Sequence, residues 1–485
     1  MPKIYNVYFL AMVATVGGIL FGFDISSMSA IVGTPQYLNY FDNPSAAGSV
    51  VGAVIAGPVS DKLGRRLALQ FACLWWLVGT AVQVACNGRG MLIAGRVLNG
   101  VTVGITSSQV LVYLAEIAKH SQRGAITIIQ QLAIEWGILI VYFISYGCSF
   151  IKGETASFRT AWGIQFVPCV FLMLGLPFLP ESHRWLAKVD RAEEAIHVLA
   201  NIQLAATSKI PMSSPTAAGW RRLILNGMWR RTMAGFTVQA WQQLSGANAM
   251  TYYVVYIFYA LFIIFSTVMF FLVDKIGRRT LLVWGAIAMG FCHFVVSGTL
   301  GAHYTYIPGG VGGNANVIMS VTGPPAHTVI AFSYLLIIIY ALTLAPICWV
   351  YAAEVWSLET RASGMGIASL GNWLFNFAIG LFIPPAFLNI RWKFFIVFGV
   401  LCLGGAIQFY FTYPETCGKT LEEIEVLFSK DGPHPWNTRK EIEEVRRART
   451  KGSIDAGQIA RSSIEDVVAE DNRRRLEDKD ADPNV

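Results

Sequence analysis

Charge is what this sequence has least of. Only 14% of its 485 residues are Asp, Glu, Lys or Arg, against 54% that are hydrophobic. A soluble domain carries about 25% charged residues, so an ordinary water-facing surface is excluded and most of the chain must face lipid or other apolar helices. The formal net charge of +7 is modest for this length. The basic residues sit between apolar segments and in the C-terminal part, which speaks for membrane topology and against nucleic-acid binding. A disulfide framework is missing: the eight cysteines lie almost all inside apolar runs, where they pack as small hydrophobes. The seven histidines are scattered without metal-ligand spacing, so neither a metal nor another cofactor is expected. The phosphate loop of an ATP-driven pump is also missing, because Gly418-Lys419-Thr420 has Tyr413 where the first glycine belongs. A membrane enzyme would need clustered histidines, cysteines or carboxylates within the apolar segments, and only isolated ones occur. The first apolar run lacks a basic n-region followed by a cleavage site, so it reads as a first span and not as a removed leader.

What the chain does have is a phrase that occurs twice. Asp61-Lys62-Leu63-Gly64-Arg65-Arg66 returns as Asp274-Lys275-Ile276-Gly277-Arg278-Arg279, 213 positions later. Each copy interrupts apolar sequence and reads as a short charged loop between two membrane helices. Glu116 precedes Arg123 by seven residues, as Glu354 precedes Arg361, and Pro180-Glu181-Ser182 is echoed by Pro414-Glu415-Thr416. Two copies of one membrane unit around a central site is a common way of building a transporter.

A span needs about twenty apolar residues. Candidates in the first half are the run to about residue 32, then 46–60, 67–86, 91–115, 125–150 and 160–180. The second half offers 232–273, which must hold two spans with almost no turn, then 280–300, 327–353, 363–387 and 392–412. Residues 1–180 and 232–412 are thus two six-helix bundles, joined by a polar linker at 181–231 with a short amphipathic helix over Arg191–Gln203. The Gly- and Pro-rich stretch 301–326 reads as an outer loop. Residues 413–485 form a charged tail, helical near Leu421–Phe428 and disordered beyond. Basic residues gather on one side of this twelve-span arrangement, which puts that side, the linker and both termini in the cytoplasm. The expected setting is the lipid bilayer of the plasma membrane, and a monomer.

An ionised side chain at membrane depth is costly unless paired, and is by default a functional hypothesis. Asp24 in the first span and Arg96 near the start of the fourth are such a pair, and the small residues Gly17, Gly18, Gly22, Gly95, Gly100 and Gly104 let those helices approach. A static ion pair that fixes helix packing is the plainer alternative.

Taken together, Gly95-Arg96, the repeated hexapeptide, Pro180-Glu181-Ser182-His183-Arg184-Trp185, Trp241-Gln242-Gln243-Leu244-Ser245-Gly246-Ala247-Asn248 and Pro414-Glu415-Thr416 resemble the sugar porters of the major facilitator superfamily. The segments Phe21–Ser27 and Ala133-Ile134-Glu135-Trp136-Gly137 are similar to fungal hexose transporters. The likeness spans about residues 7–430. It implies an all-α major facilitator fold of nominally twelve transmembrane helices in two pseudo-symmetric bundles, rocking around a central sugar site. In such a carrier Asp24 and Arg96 are the proton-coupling pair, and a proton is carried with the sugar. Gln131, Gln242, Gln243, Asn248 and Asn372, with Trp349 and Trp373, are the matching substrate residues. Amides supply the donors and acceptors that hydroxyls need, and a tryptophan face covers the apolar side of a pyranose. Gln243 and Asn248 lie five apart, and Ser245-Gly246 between them permits a break that turns both inward. Asp61, Arg65, Glu116, Arg123 and Glu181, with Asp274, Arg278, Glu354, Arg361 and Glu415, would latch a cytoplasmic gate. Helices 2, 7 and 8 are shorter than the family pattern, and Leu344-Ala345-Pro346 stands where Trp-Gly-Pro is usual. An asparagine usual in the eighth span also has no counterpart here. The reading is proton-coupled transport of a hexose or pentose. A non-transporting sugar sensor, and a porter for quinate, a polyol or a disaccharide, are alternatives.

Overall fold

Long apolar runs without water to bond to must close their hydrogen bonds internally, and here they do so as helices. The computed structural model describes residues 3–31, 48–118, 123–151, 155–203, 223, 228–247, 256–307, 319–357, 360–419, 424, 427–428 and 434–435. Asn248, the linker over 204–222, residues 308–318 of the outer loop and most of the expected tail helix lie outside them. So does the side chain of Arg123.

The first half comprises α1 (Val7–Ile31), α2 (Gly48–Leu63), α3 (Arg65–Val84), α4 (Arg89–Ile117), α5 (Arg123–Ser149) and a sixth span in two pieces, α6 (Ala156–Gly163) and α7 (Phe166–Gly175). Short helices α8 (His183–Lys188) and α9 (Ala192–Gln203) follow. The second half has α10 (Trp229–Leu244), α11 (Tyr256–Leu272), α12 (Arg278–His303), α13 (Pro324–Leu342), α14 (Leu344–Glu354), α15 (Arg361–Asn389) and α16 (Lys393–Thr412). A two-residue antiparallel pairing, Thr305–Tyr306 with Met319–Ser320, closes the outer loop after α12. Residues Met1–Gly432 cluster as one compact unit; Pro433–Val485 cluster separately, and of these only His434 and Pro435 are described.

Among the described residues nine helical stretches are long and apolar enough to cross a membrane. Helices α2, α10 and α11, of 16, 16 and 17 residues, bring the crossings to twelve. At 1.5 Å per residue a 16-residue helix spans only ~24 Å, against a hydrocarbon core of ~30 Å, so these three are short as expected. Of the expected near-turnless stretch 232–273, α10 ends at Leu244, the backbone is helical again at Ala247, and 248–255 lie outside the described residues. The expected charged loop at 61–66 is corrected, since α2 runs through Lys62 to Leu63 and α3 starts at Arg65. Gly64 alone makes the corner, with φ +89°, and a Cβ there would sit 2.7 Å from Glu181 Oε2. The tenth crossing, α13 with α14, is broken at Thr343 (φ −129°, ψ −91°), three residues before Pro346, which lacks an N–H for the helix ladder.

The two halves repeat their packing. Helix α1 packs on α5 as α10 packs on α15; α2 and α3 pack on α4 as α11 and α12 pack on α13. Between the halves, α2 meets α15 and α5 meets α11. Lipid-facing positions are apolar and exposed, as at Phe171, Phe271, Trp284 and Ile407, while polar side chains such as Asn99, Gln109 and Asn372 are buried. That is the inverse of a soluble domain. The inter-helix glycines act differently from expectation. Gly17 faces Val110 on α4, but Gly18 and Gly22 abut α5, and Gly95 abuts Gly79 on α3. The cause is that α5 approaches α1 until Gly137 lies against Ile19 and Gly22.

A side chain at Gly22 would collide with the Ile134 carbonyl and stand 2.9 Å from Ile138 N, backbone atoms that cannot swing away. Gly22→Val should therefore cost about 1–3 kcal/mol by overpacking. Size-exclusion traces of a fluorescent fusion in detergent should show less monodisperse protein than wild type and a lower melting temperature; an unchanged melting point would place the α1–α5 contact elsewhere.

Candidate functional site

Two polar constellations lie inside this apolar frame, one at the end of the molecule that carries the repeated hexapeptides and one at mid-helix.

At the charged face the sequence repeat becomes a geometric one. In the first half the Arg65 guanidinium donates to Glu116 at 3.1 and 3.0 Å, and the Arg65 amide donates to Glu181 Oε1 at 2.9 Å. In the second half Arg278 Nη2 reaches Glu354 at 3.2 Å and Asp274 at 2.8 Å, and the Arg278 amide donates to Glu415 Oε1 at 2.8 Å. Arg66 and Arg279 amides add a further bond to the same Glu181 and Glu415. Each glutamate thus caps the N-terminus of α3 or α12, where free N–H groups and the helix dipole favour an anion. Tyr113 and Tyr351 donate to the carbonyls of Pro180 and Pro414 at 3.0 and 3.3 Å. Asp61 lies 3.9 Å from Arg65 and 3.0 Å from Lys188.

The same residues tie the halves together. Asp61 Oδ2 accepts from Ser363 Oγ at 3.0 Å, at the start of α15. Asp274 Oδ2 accepts from the Ala125 amide at 3.1 Å, at the start of α5. Each repeated aspartate therefore reaches into the first turn of the opposite half's corresponding helix. Arg361, fully buried, donates to the Trp356 carbonyl at 3.3 Å and lies within electrostatic range of Glu116. Beside them His183 is buried, and burial, with the neighbouring Arg184 and Arg361, lowers its pKa to about 4 against the partial opposition of Glu116.

At mid-helix, Asp24 Oδ1 and Arg96 Nη1 stand 2.7 Å apart, both buried, and Arg96 Nη2 donates to the Asp24 carbonyl at 3.3 Å. The amides of the second half satisfy one another. Asn372 donates to Gln239 at 2.7 Å and to Gln242 at 2.8 Å; Gln243 donates to Asn372 at 3.1 Å, and Asn376 donates to Gln243 at 3.2 Å. Gln242 also bonds the Ala345 carbonyl at 2.8 Å, beside the break at Thr343. Trp373 donates to Ser107 across the halves at 3.3 Å, and Phe21 packs on both Trp373 and Trp349, with ring centroids 4.9 and 6.3 Å apart. Gln131 sits apart from that network. Its Nε2 donates to Glu135 Oε1 at 2.9 Å, and Ser266 Oγ from α11 donates to the same atom at 2.8 Å. Backbone at Gly246 takes φ +75°, directly after α10, so the chain does break where Ser245-Gly246 stands.

Sequence reasoning missed three members of this interior. Gln239 and Asn376 carry the helical spacing of their neighbours, three and four residues from Gln242, Gln243 and Asn372, and that spacing was the available signal. Glu135 follows Gln131 by four residues on one helix face.

Residues 10–428 match the family described as Sugar (and other) transporter. A high-affinity glucose transporter of Kluyveromyces lactis is 37% identical over 92% of this chain and 89% of its own length. The MFS glucose transporter mfs1 of Aspergillus flavus is 36% identical, covering 94% of this chain and 96% of its own. Among solved structures, the proton:xylose symporter XylE bound to 6-bromo-6-deoxy-D-glucose superposes with a TM-score of 0.72 at 22% identity, covering 87% of this chain and 99% of that one, a likeness of fold.

Two outcomes follow from the charged face. Ser363→Ala removes one neutral-to-charged hydrogen bond between the halves, whereas Glu116→Gln leaves Arg65 and Arg361 short of a buried counter-charge. The first should loosen closure by about 1 kcal/mol and the second by about 3 kcal/mol. Maleimide labelling of a cysteine placed at Ser107 should rise in that order; equal rates in both variants would show that the network only anchors helix ends. His183 gives a pH dependence. The folded form keeps this ring neutral down to about 4, while an unfolded histidine protonates near 6.5. Stability is then full above about pH 6.5 and is lost progressively as pH falls toward 4, by up to ~3 kcal/mol. His183→Gln should flatten that limb of a detergent melting-temperature profile, and an identical acid limb in the variant would assign the loss to other groups.

Proposed function

Because this chain belongs to the sugar porter family of the major facilitator superfamily, we propose that it carries a monosaccharide, a hexose or pentose, across the membrane together with a proton, by alternating access. The observation that carries the symport reading is the buried Asp24–Arg96 pair at 2.7 Å. An ionised pair at membrane depth is by default a functional feature, and facilitators of this family lack the acid.

In this reading the charged face is cytoplasmic, as are both termini, the protein works as a monomer in the plasma membrane, and it catalyses no covalent chemistry. Residues 1–180 and 232–412 are the two rocking bodies. The bonds from Ser363 to Asp61 and from Ala125 to Asp274 close the cytoplasmic side, so the arrangement described is an inward-closed one. A proton arriving from outside neutralises Asp24, releases Arg96 and loosens α1 from α4. Sugar hydroxyls then exchange with the amide-to-amide bonds of Gln242, Gln243 and Asn372, and Gln131 contacts the sugar from the first half. Trp349 and Trp373, held by Phe21 and Ser107, present apolar ring faces to its C–H side. Asn248 belongs to the same set by its position in the motif. On the opposite swing the Asp61 and Asp274 bonds break, Asp24 meets the less acidic cytoplasm, the proton leaves and Arg96 recaptures the carboxylate. A switch of this kind is driven only by ligands that bind its two states differently.

Glucose and xylose are the sugars to try first, since the similar proteins are glucose transporters and a xylose symporter. Uptake of labelled sugar into a transport-deficient cell should rise as external pH falls and collapse with a protonophore. Asp24→Asn should abolish accumulation against a gradient and keep downhill exchange, because the amide set is untouched. Uptake indifferent to pH and protonophore would make the protein a facilitator with a structural Asp24. A wild-type protein that moves none of the sugars while altering sugar-dependent gene expression would make it a sensor.

A further inference from the structure

Glu135 is a fully buried carboxyl at the middle of α5 that the proton-coupling pair and the amide network leave unused. Its two oxygens differ. Oε1 accepts two bonds, from Gln131 Nε2 on its own helix at 2.9 Å and from Ser266 Oγ on α11 of the other half at 2.8 Å. Oε2 is buried and, among the described residues, meets no hydrogen-bond donor. No cation among them forms a salt bridge with either oxygen. Tyr340 of α13 lies within electrostatic range of the carboxyl, its ring 5.6 Å from that of Phe262.

A carboxyl oxygen without a donor in an apolar interior is an expensive thing to keep. A carboxyl is also a versatile partner for a sugar hydroxyl, since its oxygen can accept a bond and, when protonated, donate one. Glu135 is in direct contact with Gln131, the residue that brings the first half to the sugar.

We propose that Glu135 is a substrate-binding, specificity-determining residue whose Oε2 accepts one sugar hydroxyl, while its Oε1 holds Ser266 across the two halves. The inference rests on the sugar-transport reading and adds to it a contact with the opposite half. One carboxyl then senses both events: the hydroxyl completes its coordination, and Ser266 reports that α5 and α11 have come together. When the halves part around α11, the Ser266 bond breaks and the carboxyl keeps only Gln131 and the sugar. A sugar lacking the matching hydroxyl leaves Oε2 bare and loses the incentive to close.

A panel of monodeoxy glucoses and monodeoxy xyloses, competing against the labelled parent sugar, tests this. Wild type should bind one monodeoxy analogue roughly tenfold to a hundredfold more weakly than the parent. In Glu135→Gln that one penalty should shrink to about threefold or less, with the penalties at every other hydroxyl unchanged. Ser266→Ala keeps Oε2 free, so its deoxy profile should match wild type while maximal uptake falls. Glu135→Asp, which retains the carboxyl but withdraws it by one methylene, covers the case in which Glu135→Gln is poorly folded; it should lower the same single penalty. A deoxy profile of the same shape in Glu135→Gln, Glu135→Asp and wild type would overturn the inference and leave Glu135 a helix-packing residue, with transport itself intact. A wild-type protein that takes up no parent sugar would overturn both this contact and the transport reading.

Discussion

Each half of this protein is built around one arginine that is kept away from water and cannot shed its charge. Arg65 and Arg278 stand at the start of α3 and α12, each held by a glutamate at the end of the fourth-crossing helix, with a second glutamate capping their backbone amides. A buried ion is tolerated only where other groups replace the water it lost, and removing one partner of such a set is far more costly than the set was stabilising. Helix ends that would otherwise slide past one another in lipid are thereby pinned at a common level. The aspartates of the same hexapeptides then have an oxygen left over, and each spends it on the first turn of a helix in the other half. The frame of each half and the contact between the halves are consequently one network.

That coupling adds exchangeable polar bonds to the contact between the halves. Ser363 and Ala125 contribute single hydrogen bonds, each worth on the order of 1 kcal/mol, and such bonds can be exchanged for water when the halves part. An apolar seam would have to be exposed instead. The interior follows the same rule. Gln239, Gln242, Gln243, Asn372 and Asn376 bond one another in this arrangement, so their donors and acceptors are matched within the network. Glu135 departs from that rule with an oxygen left bare, which is why it stands out as a contact for ligand.

Much of this was legible in the residues. The hexapeptide repeat predicted two related halves because the same loop chemistry was needed twice, and the three short crossings were visible by counting apolar residues between charged ones. Asp24 and Arg96 could be paired on paper because two ionised groups at membrane depth have few alternatives. Other features had no such signal. Gly18 and Gly22 were assigned to the fourth helix and face the fifth, since a glycine marks a close approach and not the helix that approaches. The motif at 61–66 reads as a loop by its charge, yet Gly64 alone turns the chain, because Glu181 from 116 residues away neutralises the amides that a loop would have left to water.

Sequence by itself therefore determined the number of crossings, the duplication and the chemical types gathered in the interior, all of which follow from local hydropathy and from residues recurring in order. Only the tertiary structure decided partners: that Asp61 bonds Ser363, that Asn372 bonds Gln239 and Gln242, and that Gln131 turns to Glu135 and not to the amide cluster. Hydropathy is summed along the chain and survives in its order, whereas a hydrogen bond depends on two atoms meeting within about 3 Å, which helices 100 or more residues apart settle only by packing.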